Sequence, residues 1–162
     1  MKAFLQLCVV FAFIFALGHL EIFACTCSLP VYKSEAEWVT KKFNESDLVF
    51  VAKVIKVYPQ RIKEGKDIII ALEKTFLLKV ESYFKNTITG SKFLKLGAGP
   101  QDCDVPFKIG QKYLVFAYTQ EFYNNKGKIV GKGFGTNNCT RTNLLNDSNE
   151  DIKTIKQLLS DK

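Results

Sequence analysis

An apolar segment that ends just before a Cys-Thr-Cys sequence is the feature that most restricts how this chain can fold. Residues 3–18 are almost wholly apolar and follow a single cation, Lys2. The run is shorter than the roughly 20 residues that a membrane-spanning helix needs. The small residue Ala24 then offers a cleavage point, as in secretory signal peptides. We therefore predict a signal peptide over residues 1–24, one domain over residues 25–162, and a secreted, extracellular protein without a membrane span.

Removal of this leader would take away two of the chain's reactive side chains. His19 is the only histidine of the chain, and Cys8 is one of its five cysteines. The mature domain is therefore expected to lack histidine, which excludes Ser-His-Asp triads, Cys-His dyads and His-ligated zinc. We predict that the protein is not an enzyme. Its four remaining cysteines favour two disulfides in an exported chain, because a four-cysteine zinc site usually shows two close pairs.

The spacing of these cysteines limits how they can pair. Cys25 and Cys27 stand two residues apart, about 6.6 Å in an extended segment, so a bond between them would demand a very tight ring. Each is expected to bond a distant partner instead, giving Cys25–Cys103 with Cys27–Cys139 or the crossed arrangement. Both arrangements tie down the mature N-terminus, which otherwise frays in most domains.

The remaining pattern predicts a mainly β domain between two helices. Ser34 and Glu37 form a capping box, and the helix that they open carries Ala36, Val39 and Phe43 on one face. Residues 47–58 are apolar on both faces, which indicates a strand with a barrel core on one side and a helix or loop on the other. Further strands are predicted over residues 67–84, 87–96, 111–119 and 128–134, with a loop over 97–101.

A second helix is predicted near the C-terminus. Ser148 is its expected cap, Asp151 lies in its first turn, and its apolar stripe consists of Ile152, Ile155, Leu158 and Leu159. Five strands with terminal helices are typical of a small Greek-key barrel of the OB type. We predict this fold, with a short N-terminal helix and a C-terminal helix.

An N-terminal cysteine held in place by disulfides permits one specific chemistry. Its α-amine and its carbonyl oxygen form a five-membered chelate with a metal ion, and a catalytic zinc keeps a position open for such ligands. Cys25 is thus a candidate ligand for another protein's zinc, and Thr26 would project into the first specificity pocket of that enzyme. The amine must be neutral to coordinate, and its ordinary pKa is about 7.7–8.0, so binding should weaken in acid.

Two stretches of sequence carry a resemblance to a known family. The Cys-Thr-Cys start at residues 25–27 and the NESDLVFVAKV strand at residues 44–54 resemble the N-terminal domain of tissue inhibitors of metalloproteinases. The runs at residues 103–115 and 139–142 are similar to later landmarks of the wider netrin-like fold, and the second run is most typical of single-domain relatives. The similarity spans nearly all of the mature chain.

The resemblance implies a netrin-like OB barrel with disulfides Cys25–Cys103 and Cys27–Cys139. It also implies a function: inhibition of secreted or cell-surface zinc metalloproteinases by a monomer that has no cofactor of its own and binds the zinc of the target protease. Cys25 would chelate that zinc and Thr26 would enter the S1′ pocket. The rest of the implied inhibitory ridge comprises Cys27, Ser28, Leu29, Pro30 and the segment over residues 99–102 with Gln101 and Asp102.

Two alternatives start from other residues. Residues 22–25 partly match a bacterial lipobox, and lipidation of Cys25 would make the protein an envelope lipoprotein without a free amine. The net charge of +7 also allows a non-inhibitory netrin-like module that binds acidic glycans through basic loops. One such basic face would hold Lys41, Lys42, Arg61, Lys63 and Lys66, and a second would hold Lys126, Lys128 and Lys132. We expect no nucleic-acid partner.

Overall fold

The computed structural model describes residue 27 and residues 32–59, 74–86, 90–98, 103–123 and 129–161. These residues form six strands and two α-helices. The strands are β1 (Leu48–Pro59), β2 (Lys74–Lys85), β3 (Phe93–Ala98), β4 (Lys112–Tyr123), β5 (Ile129–Thr136) and β6 (Asn143–Leu144), and the helices are α1 (Glu35–Glu45) and α2 (Asn149–Ser160). The predicted signal peptide lies outside the described residues.

The five long strands close into a barrel. Neighbouring strands follow the order β1-β2-β3-β5-β4, and β4 pairs with β1 to complete the circle. The pairing of β3 with β5 is parallel and the other pairings are antiparallel. This is the predicted five-stranded barrel of the OB type with one helix on each side of it in the chain, so the predicted fold class is confirmed.

Strand β1 is apolar on both faces because each face meets a different core. Leu48, Phe50, Ala52 and Val54 point into the barrel and belong to its core. Val49 and Val51 point outward into a second cluster that includes residues of both helices. The prediction of a strand between a barrel core and a covering helix is confirmed.

Helix α1 begins and packs nearly as the sequence indicates. The side chain of Ser34 accepts a hydrogen bond from the backbone N–H of Glu37 at 3.2 Å. The carboxylate of Glu37 accepts in return from the N–H of Lys33, one residue before the position that a capping box uses. Val39 and Phe43 are buried, whereas Ala36, which the sequence places on the same face of the helix, is exposed. The helix lies on the barrel through its C-terminal half, and Ala36 falls in the first turn.

The strands differ from the prediction mainly at their ends. Strand β2 is described from Lys74 onward, and the predicted residues 67–73 lie outside the described part. Strand β3 begins at Phe93, not near residue 87, and it includes Gly97 and Ala98, which the sequence placed in a loop. Strand β4 continues four residues past Thr119 because β5 pairs with it as far as Tyr123.

Helix α2 packs by its predicted stripe, with two differences. Ile155 is fully buried, and Ile152 and Leu158 are partly buried against the same cluster, but Leu159 is exposed. Ser148 occupies the N-cap position without a side-chain cap bond. Its hydroxyl donates instead to the carbonyl of Leu144 at 2.8 Å, because the preceding 3-10 turn brings that oxygen within reach.

Candidate functional site

Of the residues predicted to form the inhibitory ridge, the structure describes one, Cys27. The structure records a disulfide between Cys27 and Cys139, with a distance of 5.5 Å between the two Cα atoms. This pairing is one of the two that the sequence left open, and it is the one that the family resemblance implies. The other predicted ridge residues lie outside the described residues: Cys25, Thr26, Ser28, Leu29, Pro30, Gln101 and Asp102.

Cys103 is disulfide-bonded as well, and its partner lies outside the described residues. The crossed arrangement, in which Cys27 would bond Cys103, is excluded by the bond between Cys27 and Cys139. The predicted bond between Cys25 and Cys103 itself falls on a residue outside the described part and stays a prediction.

The loop that carries Cys139 is fixed to the barrel wall by a buried group of threonine hydroxyls. Residues Asn138–Thr140 form a 3-10 turn whose N-cap is Asn137, and the Asn137 side chain accepts from the N–H of Cys139 at 2.9 Å. The hydroxyls of Thr136 and Thr142 lie 2.7 Å apart. Both also lie within hydrogen-bond distance of the carbonyl oxygen of Phe116 on β4. Cys139 is therefore held by a rigid part of the molecule.

Arg141, two residues after Cys139, joins this loop to both helices. Its Nε and Nη2 donate to the two carboxylate oxygens of Asp151 in α2, each at 2.9 Å, and its Nη1 lies 2.7 Å from the carboxylate of Glu35 in α1. The guanidinium also stacks on Trp38 at 4.3 Å from the ring centre. The hydrogen bonds with Asp151 raise the pKa of Arg141 above its usual value.

Tyr32 extends this stack toward the N-terminal segment. Its ring lies nearly parallel to that of Trp38, with ring centres 5.8 Å apart. Tyr32 stands five residues after Cys27 in the chain. The described residues on the two sides of residues 28–31 are therefore both held, Cys27 by the disulfide and Tyr32 by the aromatic stack.

Sequence reasoning missed the role of Arg141. The resemblance pointed to residues 139–142 only as a landmark, and Asp151 was expected simply as an acidic residue in the first turn of α2. Asp151 is 5% exposed, and a carboxylate this buried requires a cationic partner. The signal available from sequence was an acidic residue on the apolar face of a helix, one position from Ile152.

The segment after Cys103 contains a second polar contact that the sequence analysis did not identify. Asp104 accepts from the ammonium group of Lys74 at 3.2 Å. Its other carboxylate oxygen, Oδ1, is buried without a hydrogen-bond partner. Val105 and Phe107 then enter the barrel core. Within the described ranges, no group of three or more His, Cys, Asp or Glu residues is placed to hold a metal ion.

The predicted basic faces are partly neutralised where the structure describes them. Lys41 and Lys42 both form ion pairs with Glu45, and Lys132 pairs with Glu121. The other five members of those faces, Arg61, Lys63, Lys66, Lys126 and Lys128, lie outside the described residues. A different group of lysines, not anticipated from the sequence, lies on the outer surface of the barrel: Lys53, Lys56, Lys79 and Lys95. We call this group the lysine face.

Comparison with protein-family models gives no match to this chain, and comparison with curated proteins gives none either. The described helices include none with the length and apolar character required to cross a bilayer.

Proposed function

We propose that the chain is a secreted inhibitor of zinc metalloproteinases that acts through the N-terminus of its mature form. In this proposal the amine and carbonyl oxygen of Cys25 chelate the catalytic zinc of the target enzyme. Thr26 enters the S1′ pocket, and residues 28–30 lie along the primed side of the cleft. The protein contributes no metal of its own.

The observation that carries the proposal is the bond between Cys27 and Cys139 on a closed barrel. Cys27 is the third residue of the proposed mature chain, so the bond fixes a point two residues from the proposed zinc ligand. Cys139 in turn is held by the Asn137 cap. A segment fixed in this way loses little conformational entropy when an enzyme cleft binds it.

A small domain of this length has no need of such an anchor merely to fold. Its barrel encloses a continuous apolar core that extends from Leu48 on β1 to Ala117 on β4. Tethering the first residues of the domain to that barrel therefore supports a role for the N-terminus itself. The resemblance of residues 25–27 and 44–54 to metalloproteinase inhibitors indicates that this role is protease inhibition.

The test compares two forms of the protein that differ by one residue before Cys25. The mature form that begins at Cys25 is expected to inhibit a panel of secreted zinc metalloproteinases. A form with one additional alanine before Cys25 is expected to lose inhibition, because its amine is converted to an amide and can no longer chelate zinc. A form with the alanine added after Lys162 is the matched control and should inhibit like the mature form.

Intact mass establishes in each preparation that Cys25 carries no lipid and that two disulfides are present. If the forms with and without the N-terminal alanine inhibit equally, chelation by the Cys25 amine is wrong. If the mature form inhibits no member of the panel, the proposed function is wrong.

A further inference from the structure

Neither of the two described helices covers the whole outer surface of the barrel. Both helices pack over the outward side chains of Val49 and Val51 on β1 and of Leu114 and Phe116 on β4. Beyond Val51 the outward residues of β1 change character and become Lys53, Ile55 and Lys56. This part of β1 continues into the outer surfaces of β2 and β3, which carry the other half of the lysine face.

The strand register brings the four lysines together. Lys53 on β1 stands directly opposite Lys79 on β2. Lys56 and Lys95 flank Leu77 from the two neighbouring strands, and their ammonium groups both lie over the ring of Tyr58, at 4.9 and 5.8 Å from its centre. The lysine face therefore forms one contiguous surface on three adjacent strands.

None of these four lysines forms an ion pair within the described parts of the chain. The carboxylate of Glu81, also on β2, is engaged by Lys112 at 2.8 Å. Like charges that stand directly opposite on adjacent strands destabilise a sheet. Within the described residues, this surface thus holds an unfavourable arrangement of positive charge, which an anionic partner would neutralise.

Exposed apolar side chains lie among and beside these charges. Of the four large apolar residues that are exposed in the described part of the chain, two belong to β1 and β3 and a third lies in a turn bonded to β1. Ile55 is 39% exposed and stands between Lys53 and Lys56. Phe93 is 53% exposed and pairs with Lys79. Ile109 is 65% exposed, in a turn that hydrogen-bonds to Val54.

We propose that the lysine face, together with Ile55, Phe93 and Ile109, docks on an anionic phospholipid surface. Lysine ammonium groups are attracted to acidic headgroups, while exposed apolar side chains enter the boundary between headgroups and acyl chains. A sulfated glycan would neutralise the same lysines, but it offers no apolar phase for an isoleucine and a phenylalanine. The combination of charge and exposed apolar area therefore favours a lipid surface.

The experiment measures co-sedimentation of the mature protein with two kinds of vesicle. Vesicles of phosphatidylcholine alone should bind the protein much more weakly than vesicles that contain about one third phosphatidylserine. Binding should weaken as salt rises from about 0.1 M to about 1 M, because screening shortens from about 10 Å to about 3 Å. It should not vanish completely, since the apolar contacts are insensitive to screening.

Two pairs of variants separate this surface from general positive charge. Changing all four lysines of the lysine face to glutamine should lower the affinity for acidic vesicles at least about tenfold. The control variant carries glutamine at Lys33, Lys41, Lys153 and Lys156, which removes the same charge elsewhere. It should change that affinity less than about twofold. Ile55→Ser with Phe93→Ser should weaken binding at high salt. Leu159→Ser, at the exposed apolar residue of α2, should not.

Three outcomes would overturn the proposal. The first is absence of binding to the acidic vesicles, and the second is an equal loss of binding in the two four-lysine variants. The third is retention on heparin that the lysine-face variant abolishes, combined with vesicle binding that the Ile55 and Phe93 changes leave intact. That third result would identify a polyanion surface instead. Circular dichroism of each variant verifies that the exposed substitutions leave the fold unchanged.

Discussion

At the scale of single residues, Asp47 links a sequence motif to the closure of the barrel. It stands just before β1, where its backbone N–H donates to the carbonyl of Ala117 at 2.9 Å. Its carboxylate accepts from the N–H of Thr119 at 2.6 Å. The side chain of Asp47 therefore adds one hydrogen bond to the pairing between β1 and β4. The hydrogen bonds from the backbone and side chain of Thr119, with the nearby charge of Lys85, hold the pKa of Asp47 below its ordinary value.

This shift predicts how stability depends on pH. Because the folded pKa lies below the unfolded one, the carboxylate stabilises the fold fully above the unfolded value, and this contribution is lost as pH falls through the folded pKa. Asp47→Asn should lower the free energy of unfolding by about 1 kcal/mol near neutral pH, the usual net value of one hydrogen bond. The difference from wild type should shrink below about pH 4.

Urea unfolding of both proteins near neutral pH and in acid measures this difference. Asp161→Asn is the control because it removes the same charge at the exposed end of α2. A deficit in Asp47→Asn that stays constant or grows in acid would contradict the assignment of the Thr119 bond to the ionised carboxylate.

At the scale of elements, Arg141 joins α1, α2 and the Cys139 loop. Its backbone adopts a left-handed conformation with φ of 78°, which a residue other than glycine adopts at an energetic cost. The two hydrogen bonds with Asp151 and the stack on Trp38 offset that cost. The position of the C-terminal helix is thus coupled to the loop that holds the disulfide.

We expect Asp151→Asn to lower the free energy of unfolding by about 2–3 kcal/mol, because it leaves a largely buried guanidinium without its carboxylate. Glu35→Gln, at the other carboxylate contact of Arg141, should cost less than about 0.5 kcal/mol, since the Glu35 side chain is 76% exposed. Chemical denaturation of the two variants measures both values. If the two variants lose the same free energy of unfolding, the buried contact of Arg141 with Asp151 stabilises the fold no more than the exposed contact with Glu35.

The sequence predicts the elements better than their ends or their polar contacts. The two-sided apolar pattern of β1 and the Val39 and Phe43 face of α1 follow from periodicity, because burial of apolar side chains determines them. The extension of β4 to Tyr123 depends on its partner β5, and strand pairing across the chain leaves no local signal. For the same reason, the sequence does not predict that Arg141 bonds Asp151 or that lysines from three strands lie together.

At the scale of the whole molecule, the sequence predicted the barrel because apolar strand patterns recur along the chain. The pairing of Cys27 with Cys139 could be narrowed only to two arrangements by spacing, and the resemblance then favoured one. The part of the barrel surface that the two described helices leave uncovered could not be predicted from the sequence, because it depends on where those helices pack.

The disulfide between Cys27 and Cys139 gives the prediction that belongs to this scale. It links residues 112 positions apart, so its removal by Cys27→Ser with Cys139→Ser should lower the free energy of unfolding by about 2–4 kcal/mol through the entropy of the unfolded chain. The barrel should persist, because its ladder closes through β1 and β4 without help from Cys27. Inhibition should also weaken, since the proposed zinc ligand two residues away loses one of its two anchors and keeps only the predicted bond between Cys25 and Cys103. Guanidinium unfolding, near-ultraviolet circular dichroism and protease inhibition measured on the same preparation separate these effects. A folded variant that inhibits as strongly as the wild type would mean that the bond at Cys27 does not help to present the proposed zinc ligand.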